Sequence, residues 1–363
     1  MTRSPSHYFR TFLTSERALD RRFREGSRRM AWRSGDPVRW AARARARFAD
    51  LLGLPRFRKC PPAPRRLGAV RLGGGLMREE WRLQTERDVW MPFYLFLPEK
   101  REGRLPAVIC AHGHGSAGKW ATAGRRDLPV MRPIIRQFNY DYGLQLARKG
   151  FVTACPDARG FGERREPALQ NDRTESEAFK NSSCHHLTLS GAPLGLTVQG
   201  MWAWDLMRLL DFLECHPCVD AERLGCVGLS GGGLQTLDLA ALDLRVKAAV
   251  VSGYFYGARE SLLVMNNNCM CNMVPGLWEN FDMGDVGALI APRGLFIETG
   301  DRDPLNGAGG VANVRSQVRL ARRVYAALGK PRELVHGVFH GNHRWDGTRA
   351  LPWLCRQLAC GAR

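Results

Sequence analysis

One stretch of the chain runs from a short apolar segment, through a serine framed by glycines, into a longer apolar segment without turn residues. The first segment is 224–229, the second is 234–244, and Gly228, Ser230 and Gly232 lie between their apolar centres. Such a pattern predicts a buried strand followed directly by a helix. The motif G-x-S-x-G at a strand–helix junction is typical of a tight turn that holds a reactive serine hydroxyl out of the sheet.

The glycines beside Ser230 have a physical reason. A side chain at position 228 or 232 would collide with the neighbouring strand and helix. The free N–H groups and positive dipole end of the following helix also face any negative charge that develops beside the serine. The stretch therefore predicts Ser230 as a nucleophile and the backbone N–H of Gly231 as a donor to an oxyanion.

The 363-residue chain alternates apolar strand patterns with helical ones from residue 107 onward. We predict strands at 107–111, 151–156, 224–229, 246–252, 294–299 and 333–339, and helices near 141–149, 196–216, 233–244, 311–328 and 347–358. Short apolar strands separated by helices predict an α/β fold with a mostly parallel central sheet and helices on both faces.

The N-terminal part has a different pattern. Helices are expected at 18–33 and 37–52, followed by a proline-rich linker at 56–66 and alternating strand residues within 70–97. We therefore predict two regions, an Arg-rich helical extension with its linker at 1–66 and a catalytic domain at 67–363. The extension is expected to pack on the sheet or on a second subunit, which leaves a homo-oligomer open.

The formal net charge of +19 is unevenly distributed, since residues 1–50 hold 13 Arg against 5 acidic residues. Zinc-finger spacing, an RNP-like aromatic motif and a basic heptad region are absent from the sequence. These observations favour a solvated helical surface over a nucleic-acid partner, although an anionic partner such as an acidic polymer or a neighbouring subunit stays open.

The cysteines and the hydropathy pattern indicate in which cellular compartment the protein is found. No window reaches the roughly 18 apolar residues of a membrane span, and the Arg-rich beginning contains no signal-peptide pattern. The eleven cysteines are scattered and odd in number, as expected of reduced thiols. We therefore predict a cytoplasmic protein that does not enter a membrane.

We predict neither a metal nor another cofactor. His112 and His114 lie two residues apart on a glycine-rich loop with no third ligand in view. The C-x-x-C spacing at 215–218 lacks a second pair and is interpreted as a loop. Cys269 and Cys271 are interpreted as packing residues within an irregular segment.

A serine nucleophile needs an acid and a histidine, which in this kind of fold follow it in that order. The strand 294–299 ends in a loop with Asp301 and Asp303, and the strand 333–339 ends in a loop with His340 and His343. Asp303 is the preferred acid, because Asp301 is better placed to bond the turn itself. His343 is the preferred base, because its Gly/Asn-rich loop brings it over the sheet edge.

Two further loops are expected to contribute to the predicted site. The strand 107–111 runs into a His-Gly-His-Gly loop, so the backbone N–H of His114 is the predicted second oxyanion donor. Asp157 is expected to anchor the loop after strand 151–156, and Glu163 and Arg164 to line the substrate rim. The polar and aromatic residues of helix 196–216 are expected to serve packing, namely Trp202, Trp204, Asp205 and Arg208.

The irregular stretches 160–195 and 253–287 leave the carboxyl ends of predicted strands, where open α/β sheets bind ligands. How they fold over Ser230 would determine which substrate the site accepts.

Together these motifs resemble the α/β-hydrolase superfamily, and within it the bacterial dienelactone-hydrolase-like and acetyl-xylan-esterase-like hydrolases. The resemblance covers roughly 85–360 and rests on the segments HGHG at 112–115, DARGFGER at 157–164, VDAERLGCVGLSGGG at 219–233, GDRDPLN at 300–306 and HGNHRW at 340–345. It implies an α/β-hydrolase fold, with Ser230 as nucleophile, Asp303 as acid, His343 as base, and Gly231 and His114 as oxyanion donors.

The predicted function is a serine hydrolase that cleaves a carboxylic ester through an acyl-enzyme. The expected partner is a small-molecule ester with a short acyl group or a carbohydrate alcohol. A peptidase or amidase on the same triad stays an alternative. So does a non-catalytic binding protein that uses the Arg-rich extension to hold an anionic partner.

Overall fold

The computed structural model describes residues 15–26, 28–100, 103–170, 172–264 and 269–360. Its centre is a sheet of nine strands. When the strands are numbered along the chain, their order across the sheet is 1-2-3-5-4-6-7-8-9. The strands are β1 (Arg65–Leu72), β2 (Leu76–Glu86), β3 (Val89–Pro98), β4 (Leu105–Ala111), β5 (Val152–Pro156), β6 (Val219–Leu229), β7 (Val246–Ser252), β8 (Gly294–Gly300) and β9 (Leu334–Phe339).

The sheet combines an antiparallel edge with a parallel centre. Strands β1, β2 and β3 pair antiparallel, and β3 also pairs antiparallel with β5. From β5 through β4, β6, β7 and β8 to β9 every neighbouring pair is parallel. The carboxyl ends of these six strands therefore lie along one edge, which brings the loops after β4, β6, β7, β8 and β9 together.

The helices cover the sheet on both faces, as predicted. They are α1 (Glu16–Gly26), α2 (Pro37–Leu52), α3 (Lys119–Thr122), α4 (Met131–Phe138), α5 (Tyr142–Ala147), α6 (Glu175–Lys180), α7 (Cys184–Gly191), α8 (Val198–Cys215), α9 (Gly231–Leu242), α10 (Leu277–Asn280), α11 (Met283–Ala288), α12 (Val311–Ala327) and α13 (Ala350–Gln357). Two large apolar clusters fill the space on either side of the sheet. Within the described residues, no helix combines the length and hydropathy needed to cross a bilayer.

Helix α9 shows why the segment 234–244 that follows the serine motif is so apolar. Eleven of its residues are buried, including Leu234, Leu237 and Leu239, because it lies between the sheet and the N-terminal helices. A helix that is apolar all round is one that is buried on every side. The second apolar segment is long and continuous because every side of this helix is buried. The helix ends at Leu242, two residues before the predicted end.

The N-terminal helices pack on their own chain. The apolar side of α2, with Trp40, Phe48 and Leu52, is buried in the same cluster as α8 and α9. Arg45 of this helix donates to the carbonyls of Ala241 and Leu289 at 2.8 and 2.9 Å. Part of the positive charge in this region is thus used in contacts with the sheet-covering helices.

The first predicted helix is shorter than expected. The sequence predicts a helix over 18–33, whereas α1 ends at Gly26 and Arg28 has a φ of 63°. The guanidinium of Arg28 donates to the carboxylate of Asp285 at 2.7 and 2.8 Å. Backbone N–H groups of 28–30 bond the carbonyls of 278–280, so tertiary contacts replace the helix there.

Candidate active site

Ser230 lies at the end of β6 in a strained backbone conformation. Its φ is 61° and its ψ is −125°, a region that residues with a side chain rarely adopt. Its backbone N–H donates to the carbonyl of Ser252 at 2.9 Å, which ties the turn to the end of β7. Helix α9 begins at the next residue, so the turn predicted from G-x-S-x-G is present.

The two glycines of the turn have no room for a side chain. A Cβ on Gly228 would lie 2.2 Å from the carbonyl oxygen of Gly232. A Cβ on Gly232 would lie 2.1 Å from the carbonyl oxygen of Ala111 in β4. Both neighbours are backbone atoms, so neither can rotate away.

We expect Gly232→Ala to lower the free energy of unfolding by about 3 kcal/mol, because the new methyl group forces β4 and α9 apart. Urea denaturation followed by circular dichroism would measure the change. Gly68→Ala is the matched control, since a Cβ at Gly68 in β1 meets no heavy atom within 4 Å. A Gly232→Ala protein as stable as the control would contradict the close packing of the turn.

Asp303 and His343 form a hydrogen-bonded pair at the same sheet edge. Nδ1 of His343 lies 2.7 Å from Oδ2 of Asp303, whose side chain is 2% exposed. A Cβ on Gly253 would lie 2.9 Å from Cε1 of His343, so the ring rests on the residue that follows Ser252. The carbonyl of Ser252 is the one that Ser230 bonds, which places the imidazole beside the serine turn.

Within the described residues, no hydrogen bond joins Ser230 Oγ to His343 Nε2. Such catalytic contacts are often long in enzymes without substrate and shorten when the substrate binds.

The alternative pair, Asp301 and His340, is also bonded, but at the surface. Nδ1 of His340 lies 3.0 Å from Oδ2 of Asp301, and the side chain of His340 is 68% exposed. Asp301 also accepts the N–H of Gly341 at 3.0 Å, a local turn contact of the kind expected for it. The two acid–histidine pairs are therefore separate, and the pair that lies at Gly253 is Asp303 with His343.

The loop after β4 contacts the serine turn directly. A Cβ on Gly231 would lie 3.0 Å from Nδ1 of His114. The N–H of Gly113 is occupied, since it donates to the hydroxyl of Tyr140 at 2.9 Å. In the part of the chain that the structure describes, the N–H groups of His114 and Gly231 donate to no protein acceptor. These are the two N–H groups for which the sequence predicts a role as oxyanion donors.

His112 holds this loop in place and takes no part in the predicted chemistry. Its Nε2 accepts the N–H of Ala158 at 3.0 Å, and its Nδ1 lies 3.0 Å from Ser116 Oγ. Burial lowers the pKa of His112, so the ring stays neutral and keeps these bonds. Gln235 of α9 donates to the carbonyl of His112 at 2.7 Å, which joins the loop to the helix after Ser230.

Residues 7–317 match the sequence profile of the Abhydrolase family. The chain belongs to the Abhydrolase family. Its relative in Bacillus subtilis, named "Putative hydrolase YtaP", is 30% identical over 66% of this chain and 73% of its own length. The match begins at residue 7, so the N-terminal helices are part of what the family shares.

Solved structures resemble this Abhydrolase chain in fold. One, described as a "putative acetyl xylan esterase" from Bacteroides fragilis, has a TM-score of 0.77 at 18% identity and covers 95% of each chain. A "Glucuronoyl Esterase" from Solibacter usitatus has a TM-score of 0.61 at 16% identity, over 86% of this chain and 91% of that one. The predicted α/β-hydrolase fold and the resemblance to this superfamily are confirmed.

Glu298 is a residue at the Abhydrolase site that sequence reasoning missed. Its carboxylate, buried near the end of β8, accepts the hydroxyl of Ser252 at 2.8 Å and the N–H groups of Asp346 and Gly347 at 3.0 and 2.8 Å. Burial raises the pKa of Glu298 to about 7. Through these three hydrogen bonds, Glu298 connects the end of β7 to the segment that follows His343. The signal was present, since Glu298 is the one charged residue in the apolar strand pattern 294–299.

The predicted substrate rim needs a correction. Arg164 is not at a rim, because its side chain is 6% exposed and pairs with Asp205 at 2.7 Å. Glu163 is half exposed, and its carboxylate pairs with the buried ammonium of Lys119 at 2.6 Å. Asp157 anchors its loop as expected, accepting the N–H of Lys119 at 2.6 Å. Buried charges are kept in pairs, and this requirement draws Arg164 inward.

Asp205 of α8 is more than a packing residue. It binds Arg159 through both carboxylate oxygens at 2.8 and 2.9 Å and accepts Arg164 as well. The pKa of Asp205 is lowered to about 2, because the attraction of the two guanidinium groups exceeds the opposing effect of burial. Helix α8 is thus attached to the start of the irregular stretch 160–195.

Four potential metal ligands converge beside the serine turn. His114, Cys184, Cys269 and Cys271 place their Nε2 and Sγ atoms within 4.8 Å of one another. We call this group the thiol–imidazole cluster. The pKa of the Cys269 thiol lies well below its ordinary value, chiefly because the thiols of Cys184 and Cys271 donate hydrogen bonds to it.

From the sequence, Cys269 and Cys271 are expected to be packing residues, and no third ligand accompanies His112 and His114. In the structure, the further ligands are Cys184, Cys269 and Cys271. They come from two segments that lie more than 60 residues after His114 and more than 60 residues from each other. All eleven cysteines fall within the described residues, and none of them forms a disulfide there.

Proposed function

We propose that this protein is a serine esterase that cleaves a carboxylic ester through Ser230, His343 and Asp303. The observation that carries the proposal is the bonded Asp303–His343 pair resting on Gly253, beside a serine held at a φ of 61°. A strained serine, a neighbouring imidazole and a buried carboxylate are the parts that nucleophilic acyl transfer requires.

In the proposed reaction Asp303 accepts the Nδ1–H of His343, which leaves Nε2 free to take the proton of Ser230. The serine oxygen attacks the ester carbonyl, and the N–H groups of Gly231 and His114 bind the resulting oxyanion. His343 then protonates the departing alcohol. Water, deprotonated by the same imidazole, hydrolyses the acyl-enzyme and restores Ser230.

The proposed substrates are small esters with a short acyl group or a carbohydrate alcohol. Support comes from the resemblance to acetyl-xylan-esterase-like hydrolases and from the solved structures that share the fold. Those structures are described as acetyl xylan esterases, glucuronoyl esterases and a methylesterase. The stretches 160–195 and 253–287 would shape the acyl and alcohol sites.

A substrate panel tests the proposal. We expect turnover of acetyl and other short-chain p-nitrophenyl esters and of acetylated xylo-oligosaccharides, with a fluorophosphonate probe attached to Ser230. Matching p-nitroanilides should react far more slowly, because an amide is the harder bond to cleave. Faster turnover of the anilides would favour a peptidase or amidase. An unlabelled Ser230 together with no turnover would favour a non-catalytic binding protein.

A further inference from the structure

We propose that the thiol–imidazole cluster binds one zinc ion, and that this ion attaches both irregular stretches to the loop that carries the His114 oxyanion donor. Cys184 begins α7 within the stretch 160–195, and Cys269 and Cys271 belong to the stretch 253–287. His114 lies on the loop after β4. One bound ion would therefore join three separate parts of the fold.

The distances agree with a tetrahedral site. Nε2 of His114 lies 3.1 Å from Sγ of Cys269, 3.6 Å from Sγ of Cys271 and 3.8 Å from Sγ of Cys184. Zinc–sulfur and zinc–nitrogen bonds of about 2.3 and 2.1 Å at tetrahedral angles imply an N···S edge of about 3.6 Å. The three N···S distances thus lie close to the spacing that a zinc ion imposes on its ligands, and the sulfurs lie within 4.8 Å of one another.

The donor set selects the metal and its role. Three thiolates and one imidazole in a tetrahedral arrangement favour Zn²⁺ over cations that prefer oxygen. Four protein ligands leave no open position for water or substrate, so the ion is structural and takes no direct part in ester cleavage. In the bound state the three cysteines coordinate as thiolates, each proton still held by a thiol passes to solvent, and the neutral imidazole coordinates through Nε2.

The protein holds the ligand-bearing segments by contacts that do not require the ion. Thr188 of α7 donates to the carbonyl of Met270 at 3.0 Å, and Gln199 of α8 donates to the carbonyl of Cys271 at 3.2 Å. The ring of Phe161 packs edge-on against His114 with centroids 5.0 Å apart. Supporting contacts of this kind orient ligands before a metal binds.

The zinc site and the serine turn share one imidazole. Nε2 of His114 faces the three sulfurs, whereas its Nδ1 faces Gly231, the residue after Ser230. Fixing the ring through Nε2 would also fix the loop whose backbone N–H is the proposed oxyanion donor. The three cysteines are accordingly positioning residues for the proposed esterase reaction, and this part of the inference rests on the proposed function.

The metal content of the full-length protein is the first test. Protein purified under reducing conditions and incubated with Zn²⁺ should retain one zinc ion per chain after gel filtration, measured by inductively coupled plasma mass spectrometry. Substitution by Co²⁺ should produce thiolate-to-cobalt charge-transfer absorption and intense visible bands of a tetrahedral site. Protein without bound metal, or with a disulfide between two of the three cysteines under these conditions, would overturn the proposal.

Variants locate the ion. Cys184→Ser and Cys271→Ser should lose most of the zinc, whereas Cys215→Ser should retain it, because Cys215 is an exposed thiol outside the cluster. Zinc retained in full by Cys271→Ser would refute the site. Ser230→Ala should carry as much zinc as wild type, so the metal site can be confirmed even if the esterase proposal fails.

The positioning role has its own measurement. Removing zinc from wild-type protein with a chelator should lower kcat for an acetyl ester while KM changes little, with the ~10²–10³-fold loss of one oxyanion donor as the upper bound. Adding Zn²⁺ back should restore kcat. An unchanged kcat in protein shown to be zinc-free and folded would overturn the link between the ion and the oxyanion loop.

Discussion

Ser230→Ala is expected to lower kcat for p-nitrophenyl acetate by a factor on the order of 10⁴ or more, because the acyl-enzyme can no longer form. The residual activity would come from substrate binding and from the N–H groups of Gly231 and His114, which the substitution leaves in place. The strained φ of 61° at this position is unchanged by alanine, and the lost hydroxyl makes no hydrogen bond within the described residues. A loss of activity would therefore be due to the missing nucleophile and not to unfolding of the protein.

Steady-state kinetics and intact-mass analysis after fluorophosphonate treatment would measure this result. Ser34→Ala is a suitable control, because Ser34 is exposed and precedes α2, far in sequence from the sheet edge that carries the site. The control should be labelled and active. If Ser230→Ala keeps activity within about tenfold of wild type, Ser230 is not the nucleophile.

Asp303→Asn is expected to reduce kcat by about 10⁴-fold, because an amide can donate to Nδ1 of His343 and thereby select the wrong tautomer. The proton would then sit on Nε2, which could no longer take the proton of Ser230. The carboxylate at 2.7 Å from Nδ1 normally excludes that tautomer. The expected change is in kcat, with little change in KM, since the Asp303 side chain is buried and bonded to His343.

Asp301→Asn is the matched control for Asp303→Asn. Both residues lie on the loop after β8, and both pair with a histidine through Nδ1. The Asp301 pair is exposed, so its loss should leave kcat close to that of wild type. Thermal melts would show that each variant is folded. A large loss in Asp301→Asn with an active Asp303→Asn would assign the roles to Asp301 and His340 instead.

Much of the candidate site follows from local sequence. The glycines around Ser230 predicted a tight turn because only a residue without a side chain fits there, and the structure has backbone oxygens at 2.1 and 2.2 Å from the absent Cβ atoms. The strands that precede Asp303 and His343 were predicted from apolar runs followed by turn residues. In a parallel sheet those ends share one edge, so chain order alone placed the candidates near Ser230.

Other residues could not be placed in this way. Arg164 was expected at a rim because it follows a strand, yet it lies inside the protein because Asp205 of α8 offers it a buried partner. The choice between Asp301 and Asp303 depended on how the loop turns. The structure separates them by burial, since one pair is at the surface and the other lies against Gly253.

The sequence by itself determined the α/β architecture, the serine turn and the short set of acids and histidines around it, because periodicity and turn chemistry act between residues close in the chain. Only the tertiary structure decided that His114, Cys184, Cys269 and Cys271 meet. Their convergence depends on how two irregular stretches fold over the sheet, which long-range packing determines and no local pattern records. Three cysteines that look unrelated in the sequence thus become a candidate zinc site beside the proposed nucleophile.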